Sequence, residues 1–159
     1  MEDLLRQGLP ALGIPADEAR VAAFAGFLKL LAEWNGKFNL TGIRDPAAMV
    51  PLHILDSLTA RPFLKGERVV DVGCGAGLPG LPLALVEPDR HFTLVDATMK
   101  KVRFVQLAIA ELGLANAVAL HTRIEDLKPE PLFDTVICRA LSALPEFVRR
   151  AGPVVGRGG

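Results

Sequence analysis

Two hydrophobic periods divide the chain. Up to about residue 65, apolar residues recur in steps of three and four. Val21, Phe24, Leu28 and Leu31, with Phe27 and Trp34 beside them, share one helical face. Asp17 is placed to cap this helix and Asn35-Gly36 to end it. Phe38-Asn39-Leu40-Thr41-Gly42 reads as a loop. Asp45-Pro46 then starts a second helix, with the acid as cap and proline in the first position, running to about Ala60.

From Arg68 the period changes. Short apolar runs at 69–72, 92–95, 117–120 and 135–138 read as strands. Helical segments lie between and after them: one from Pro79-Gly80 to Glu87-Pro88, one over 99–112 stopped by Gly113, and one over 144–151 broken by Gly152-Pro153. Strands alternating with helices specify an α/β fold, a parallel sheet with helices on both faces. The expected division is a helical extension at 1–65 and a Rossmann-like core at 66–159. The last residues, 154–159, read as the approach to a fifth strand that does not follow, so the C-terminal strands are expected to be missing and the sheet edge left open.

Composition narrows the class. A chain of 159 residues, half of them hydrophobic, can bury one real core. Lys plus Arg and Asp plus Glu number 18 each, so net charge gives no sign of a nucleic-acid or membrane partner, and any basic footprint is local. Lys100-Lys101-x-Arg103, Arg149-Arg150 and Arg157 are such local patches, suited to RNA phosphates or to an ordinary helix surface. The apolar runs are short and interrupted, so neither a signal peptide nor a membrane span is expected. Two cysteines, Cys74 and Cys138, make no disulfide framework and fit a reducing, cytoplasmic setting. With so few histidines and cysteines no metal-ligand spacing occurs.

The chemistry concentrates where the first strand ends, in Asp71-Val72-Gly73-Cys74-Gly75-Ala76-Gly77-Leu78-Pro79-Gly80. Glycines at a strand-to-helix turn allow a tight bend and let a ligand touch the main chain. No Gly-Lys-Ser/Thr follows, which argues against a triphosphate cradle. Asp96 closes the second strand about 20 residues further on, where a carboxylate can accept both ribose hydroxyls of a nucleoside. Asp71 would repel a pyrophosphate but suit the ammonium of a methionine moiety. Two acids around Gly73, Gly75 and Gly77 therefore favour S-adenosylmethionine over NAD. Ile124, after the third strand, is placed to pack on adenine, and Arg139, closing the fourth, to meet a carboxylate or phosphate or to pair with a neighbouring helix. Cys138 reads as a small strand residue, not a nucleophile, since no Pro-Cys pair is present. His53, Asp56 and Ser57 fall at i, i+3 and i+4; taken alone they read as a solvated helix face.

Five segments keep a common order and spacing: Phe38-Asn39-Leu40-Thr41, His53-Ile54-Leu55-Asp56-Ser57-Leu58, the glycine loop with its Leu78-Pro79-Gly80 extension, Lys101-Val102-Arg103-Phe104, and Phe133-Asp134-Thr135-Val136-Ile137-Cys138-Arg139-Ala140. Together they resemble the small-subunit ribosomal RNA methyltransferase G family, also called glucose-inhibited division protein B, over nearly the whole chain. The resemblance implies a class I S-adenosylmethionine-dependent methyltransferase fold. It implies methyl transfer to N7 of one guanine in 16S ribosomal RNA, with the small ribosomal subunit as partner, in the bacterial cytoplasm; the protein is expected to be a monomer. The resemblance further implies cofactor contacts at Gly73, Leu78, Ile124, Glu125 and Arg139, and gives the stripe of His53, Asp56 and Ser57 a meaning without assigning it chemistry. His53, together with Lys100 and Arg103 of the basic run, is a candidate substrate-binding residue. The family continues into a fifth strand and a final hairpin that this sequence lacks. A nucleotide-dependent oxidoreductase, and an RNA-binding protein built on an inactive cofactor fold, are the alternatives.

Overall fold

The computed structural model of the chain describes residues 1–139 and 143–159. Strands β1 (Arg68–Val72), β2 (His91–Asp96), β3 (Ala117–His121) and β4 (Thr135–Cys138) form one parallel sheet in the order β3-β2-β1-β4. Each agrees with its expected range to within a residue at either end. Val69 stands opposite Phe92 on one side and Thr135 on the other. The sheet is parallel because helices carry the chain back between strands: α5 (Gly80–Val86) follows β1 and α6 (Met99–Leu112) follows β2. From β1 the chain moves outward through β2 to β3, then returns to place β4 on the opposite side of β1. Order reverses between β1 and β4, which opens a crevice at the carboxyl ends of those strands.

The N-terminal helix α2 (Glu18–Phe38) packs on α6, and α1 (Glu2–Ala11) packs on α2. Leu5, Leu9, Phe24, Phe27, Val69, Leu81, Phe92, Leu94 and Phe104 belong to one buried cluster, so the helical extension and the sheet share a core. Trp34 rests against Phe104, ring centroids 5.9 Å apart. Each such buried side chain contributes about 1.5–3 kcal/mol. The alternate strand positions Val70, Val72 and Val95 point the other way, to Phe133, Val154 and Ala151 at the end of α7 (Leu144–Ala151). Coverage there is thinner than the sequence pattern leads one to expect. On β3, Val118 and Leu120 are 48% and 39% exposed, because the described elements on that face do not reach them. Beyond α7 the chain touches the start of the edge strand, where Phe133 forms an isolated parallel bridge with Val155.

Two helices differ from expectation for identifiable reasons. α2 continues through Asn35-Gly36 and stops at Asn39, which adopts φ 50°. Asn35 is buried and bonds the following loop instead of ending its own helix: its Oδ1 accepts from the Thr41 amide at 2.8 Å and its Nδ2 donates to the Ile43 carbonyl at 3.2 Å. The second helix is not uniform. α3 (Pro46–Met49), capped by Asp45 as expected, passes into a π-helical turn over Val50–Leu55 and then α4 (Asp56–Leu58). Pro51, which has no amide hydrogen, interrupts the α-helical ladder there.

Candidate functional site

The loop from β1 to α5 is built by its glycines. Gly73, Gly75 and Gly77 have φ of 65°, 55° and 82°, a region side chains disfavour. Gly80 is required for a different reason. A Cβ there would lie 2.6 Å from Asp71 Oδ2 and 2.7 Å from Leu94. Asp71 Oδ2 accepts from the Gly80 amide at 2.8 Å, pinning the far end of the loop. The near end is tied to β2 by the Cys74 amide, which donates to the Val95 carbonyl at 3.0 Å.

Asp71 therefore does not face a ligand, contrary to the expectation from its place near a strand end. It is fully buried, it does not line the crevice, and its Oδ1 has no partner among the described residues. Burial pushes its carboxyl up to about 7, the Gly80 amide pulls the other way, and nearby Asp96 adds to the rise.

Asp96 stands where the sequence places it. Its Oδ2 accepts from the Gly75 amide at 3.0 Å and its Oδ1 from the Thr98 amide at 2.9 Å. A carboxylate oxygen has a second lone pair, so both oxygens can still accept hydroxyl protons. The Asp96 carbonyl accepts from the Thr122 amide, joining the tip of β3 to the same point. Just beyond, a 3₁₀ turn over Ile124–Asp126 sets Ile124 into the wall, 2% exposed.

These pieces surround a cavity of about 520 Å³, within the range of small-molecule sites, about 300–1,000 Å³. Of the expected residues, Gly73, Gly75, Leu78, Asp96, Ile124, Arg139 and His53 line it. Gly77, Glu125, Lys100 and Arg103 do not. Gly77 packs against Leu81, the Glu125 carboxylate accepts from Arg150 Nε at 2.5 Å, and Lys100 sits over the Phe38 ring at 5.6 Å. Ala140, last of the 133–140 segment, lies outside the described residues. The cavity also takes in Thr41, Lys101, Arg123 and Arg150, to which the sequence pattern assigns no cofactor role. Lys101 is next to Lys100 in a basic run, but one position along a helix turns a side chain by about 100°.

His53 and Ser57 are not a solvated stripe. They are 4% and 2% exposed, turned inward by the π-helical turn, while Asp56 stays outside. His53 Nε2 lies 2.7 Å from Thr41 Oγ1 and Nδ1 lies 3.3 Å from Arg139 Nη1. Arg139 combines the two readings open to it. It reaches the cavity, and it also bonds the Leu52 carbonyl at 2.8 Å and pairs with Asp56 at 3.6 Å. Burial, then the Arg139 charge, hold the His53 imidazole below its ordinary value. Burial, then the Asp71 charge, push both thiols up; neither is an activated nucleophile. Among the described residues no group of three or more histidine, cysteine or acidic side chains is disposed to hold a metal, and no helix is long and apolar enough to cross a membrane.

The crevice thus joins a glycine loop and one carboxylate, Asp96, with the cations Lys101, Arg123, Arg139 and Arg150, and likeness to known proteins bears on what it serves. Solved structures match the fold. The YcgJ protein of Bacillus subtilis superposes with a TM-score of 0.53 at 28% identity, over 66% of this chain and 46% of its own. A SAM-dependent methyltransferase from Thiobacillus denitrificans in complex with S-adenosyl-L-homocysteine gives 0.52 at 18% identity, over 65% and 44%. Sequence relatives are closer. Ribosomal RNA small subunit methyltransferase G of Methylococcus capsulatus is 47% identical over 98% of this chain and 76% of its own length. The protein of that name from Laribacter hongkongensis is 40% identical over the whole chain and 77% of its own length. The chain thus spans about three quarters of the length of these relatives. The family described as rRNA small subunit methyltransferase G matches residues 20–159, and the chain belongs to that family.

Proposed function

We propose that the chain binds S-adenosylmethionine in the crevice between β1 and β4 and uses it, in the cytoplasm, to methylate N7 of a guanine in 16S ribosomal RNA. One observation carries the cofactor assignment. The Asp96 carboxylate is oriented by the Gly75 and Thr98 amides beside a loop whose glycines leave the main chain bare. A Cβ built on Gly75 meets nothing nearer than 4.0 Å, so a ligand can lie directly on that backbone. The residues present fit the group. Asp96 accepts from the ribose hydroxyls, Ile124 supplies an apolar surface for adenine, Gly73 and Leu78 form the floor, and Arg139 meets the carboxylate of the methionine moiety. In this assignment Glu125 contributes through its place in the Ile124–Asp126 turn, its side chain being held by Arg150.

When bound, the cofactor supplies an electrophilic methyl group on a sulfonium. The protein's task is then one of orientation. Guanine N7 has a lone pair and no proton, so no side chain need act as general base. The His53 ring is not free to serve as one, because Thr41 and Arg139 engage both its nitrogens. Holding the acceptor in line with the methyl group, in a crevice whose wall takes in Leu40, Thr41 and His53 from the N-terminal segment, is the main source of rate. Lys101 and Arg123 add positive charge at the wall, suited to the phosphates flanking the target base.

Isothermal titration with S-adenosylhomocysteine and with NAD tests the cofactor, and transfer of labelled methyl groups tests the acceptor. Binding of S-adenosylhomocysteine alone, and label recovered in small-subunit RNA, are the expected results. NAD binding, or label in protein or in a small molecule, would overturn the proposal.

A further inference from the structure

The N-terminal helices hold buried polar groups that cofactor binding by the sheet does not require. Asn35 and His53 are 3% and 4% exposed, and with Thr41 they form a hydrogen-bonded path from the last turn of α2 to the end of β4. Asn35 Oδ1 accepts from the Thr41 amide, Thr41 Oγ1 meets His53 Nε2 at 2.7 Å, and His53 Nδ1 meets Arg139 Nη1 at 3.3 Å. Buried polar groups are retained where they are paired, and this path ends on an arginine in the cavity wall.

The π-helical turn gives the path a second grip. In a regular α-helix the Asp56 amide would bond the Leu52 carbonyl. Here it bonds Pro51 O and His53 O instead. Leu52 O accepts from Arg139 Nη2 at 2.8 Å, beside the His53 contact. Such turns recur at functional sites, where the altered ladder leaves backbone groups open to other partners.

The hydrogen positions follow from Arg139. A guanidinium has only donors, so a ring nitrogen facing it must be an acceptor. That puts the imidazole hydrogen on Nε2, where Thr41 Oγ1 accepts it. The reverse tautomer would direct Nδ1–H at Leu52 O, 3.2 Å away and already bonded to Arg139, and leave Arg139 Nη1 facing an N–H. The charged groups bearing on the ring are Arg139 from the end of β4 and Asp56 from α4, and the ring is held below its ordinary pKa.

We propose that His53 is a positioning residue: through an Nδ1 acceptor backed by Thr41, it and the released Leu52 carbonyl aim Arg139 into the cofactor cavity. The N-terminal helices thereby complete a site whose other walls belong to the sheet. This rests on the assignment of Arg139 to the cofactor.

The test is calorimetry of the full chain with S-adenosylhomocysteine. His53→Phe is expected to weaken binding at least about tenfold, the loss of one hydrogen bond to a charged group. His53→Gln, whose amide can accept from Arg139 and donate to Thr41, is expected to bind within about threefold of the wild type. Combined with Arg139→Ala, His53→Phe should produce no further loss. Additive losses, or a Gln variant as weak as Phe, would overturn the proposal while leaving the cofactor assignment standing. A wild type that fails to bind would overturn both. Should His53→Phe not fold, nitrogen-15 spectra of the wild type decide: the proposal requires a bare Nδ1 and a protonated Nε2, and a proton on Nδ1 would overturn it.

Discussion

The residues of the crevice divide between those whose role follows from the main chain and those whose role depends on where a side chain points. Asp96 is of the first kind. At the last position of β2 it is bound to face the loop, and the glycines that receive it are fixed by their positive φ. Asp71 is of the second kind. Strand alternation sets its side, but nothing in the sequence says that the Gly80 amide, not a ligand, awaits it. This gives a pH signature. Its carboxyl titrates near 7 when folded, against about 3.9 for an unperturbed aspartate. The folded state therefore holds an extra proton between roughly pH 4 and 7, and Asp71 makes stability fall as pH rises through that window and level off above it. Asp71→Asn, which keeps an acceptor for Gly80, should remove this slope. Urea melts at pH 5 and pH 8 check it, and a slope unchanged by the substitution would contradict the burial argument. Asp96→Asn should weaken S-adenosylhomocysteine binding at least about tenfold, the loss of a charged hydrogen bond to the ribose. It should also cost about 1–3 kcal/mol of stability, since one amide can no longer satisfy both Gly75 and Thr98.

At the scale of elements, the strands are legible because their apolar runs and the Gly and Pro stops around them agree. The parallel sheet follows from the βα alternation. The helices before the sheet are less so. Asn35-Gly36 carries a strong stop signal, which burial of Asn35 against the next loop overrides, so α2 runs on beyond it. The π-helical turn is invisible in the sequence, since Pro51 signals an interruption but not how the backbone absorbs it. Pro51→Ala tests what that turn does. Restoring the amide favours a regular α-helical ladder, in which Asp56 recaptures the Leu52 carbonyl. We expect an unchanged or higher melting temperature together with weaker S-adenosylhomocysteine binding; unchanged binding would mean that the turn does not serve Arg139. Gly80→Ala should destabilise the chain by about 1–3 kcal/mol, because the new methyl group meets Asp71 and Leu94 at less than contact distance.

Taken whole, a chain of zero net charge presents Lys101, Arg123, Arg139 and Arg150 around one cavity, whose wall contains a single carboxylate among the described residues, Asp96. Composition cannot reveal this, since the cations come from four separate segments that meet only in the fold. Neutral overall and positive at the mouth, the molecule should bind RNA in a local, salt-dependent way. Lys101→Ala and Arg123→Ala should each reduce the slope of log affinity against log salt by about 0.7 for every phosphate that the side chain neutralises. The measurement that bears most directly on the account is the position of the transferred methyl group. Small subunits lacking the modification, incubated with this chain and labelled S-adenosylmethionine, should carry label at a single guanine of the 16S RNA. Reduction and aniline treatment should cleave the RNA there, as N7-methylguanine requires. Label at an exocyclic amine or ribose, with no cleavage, would contradict it.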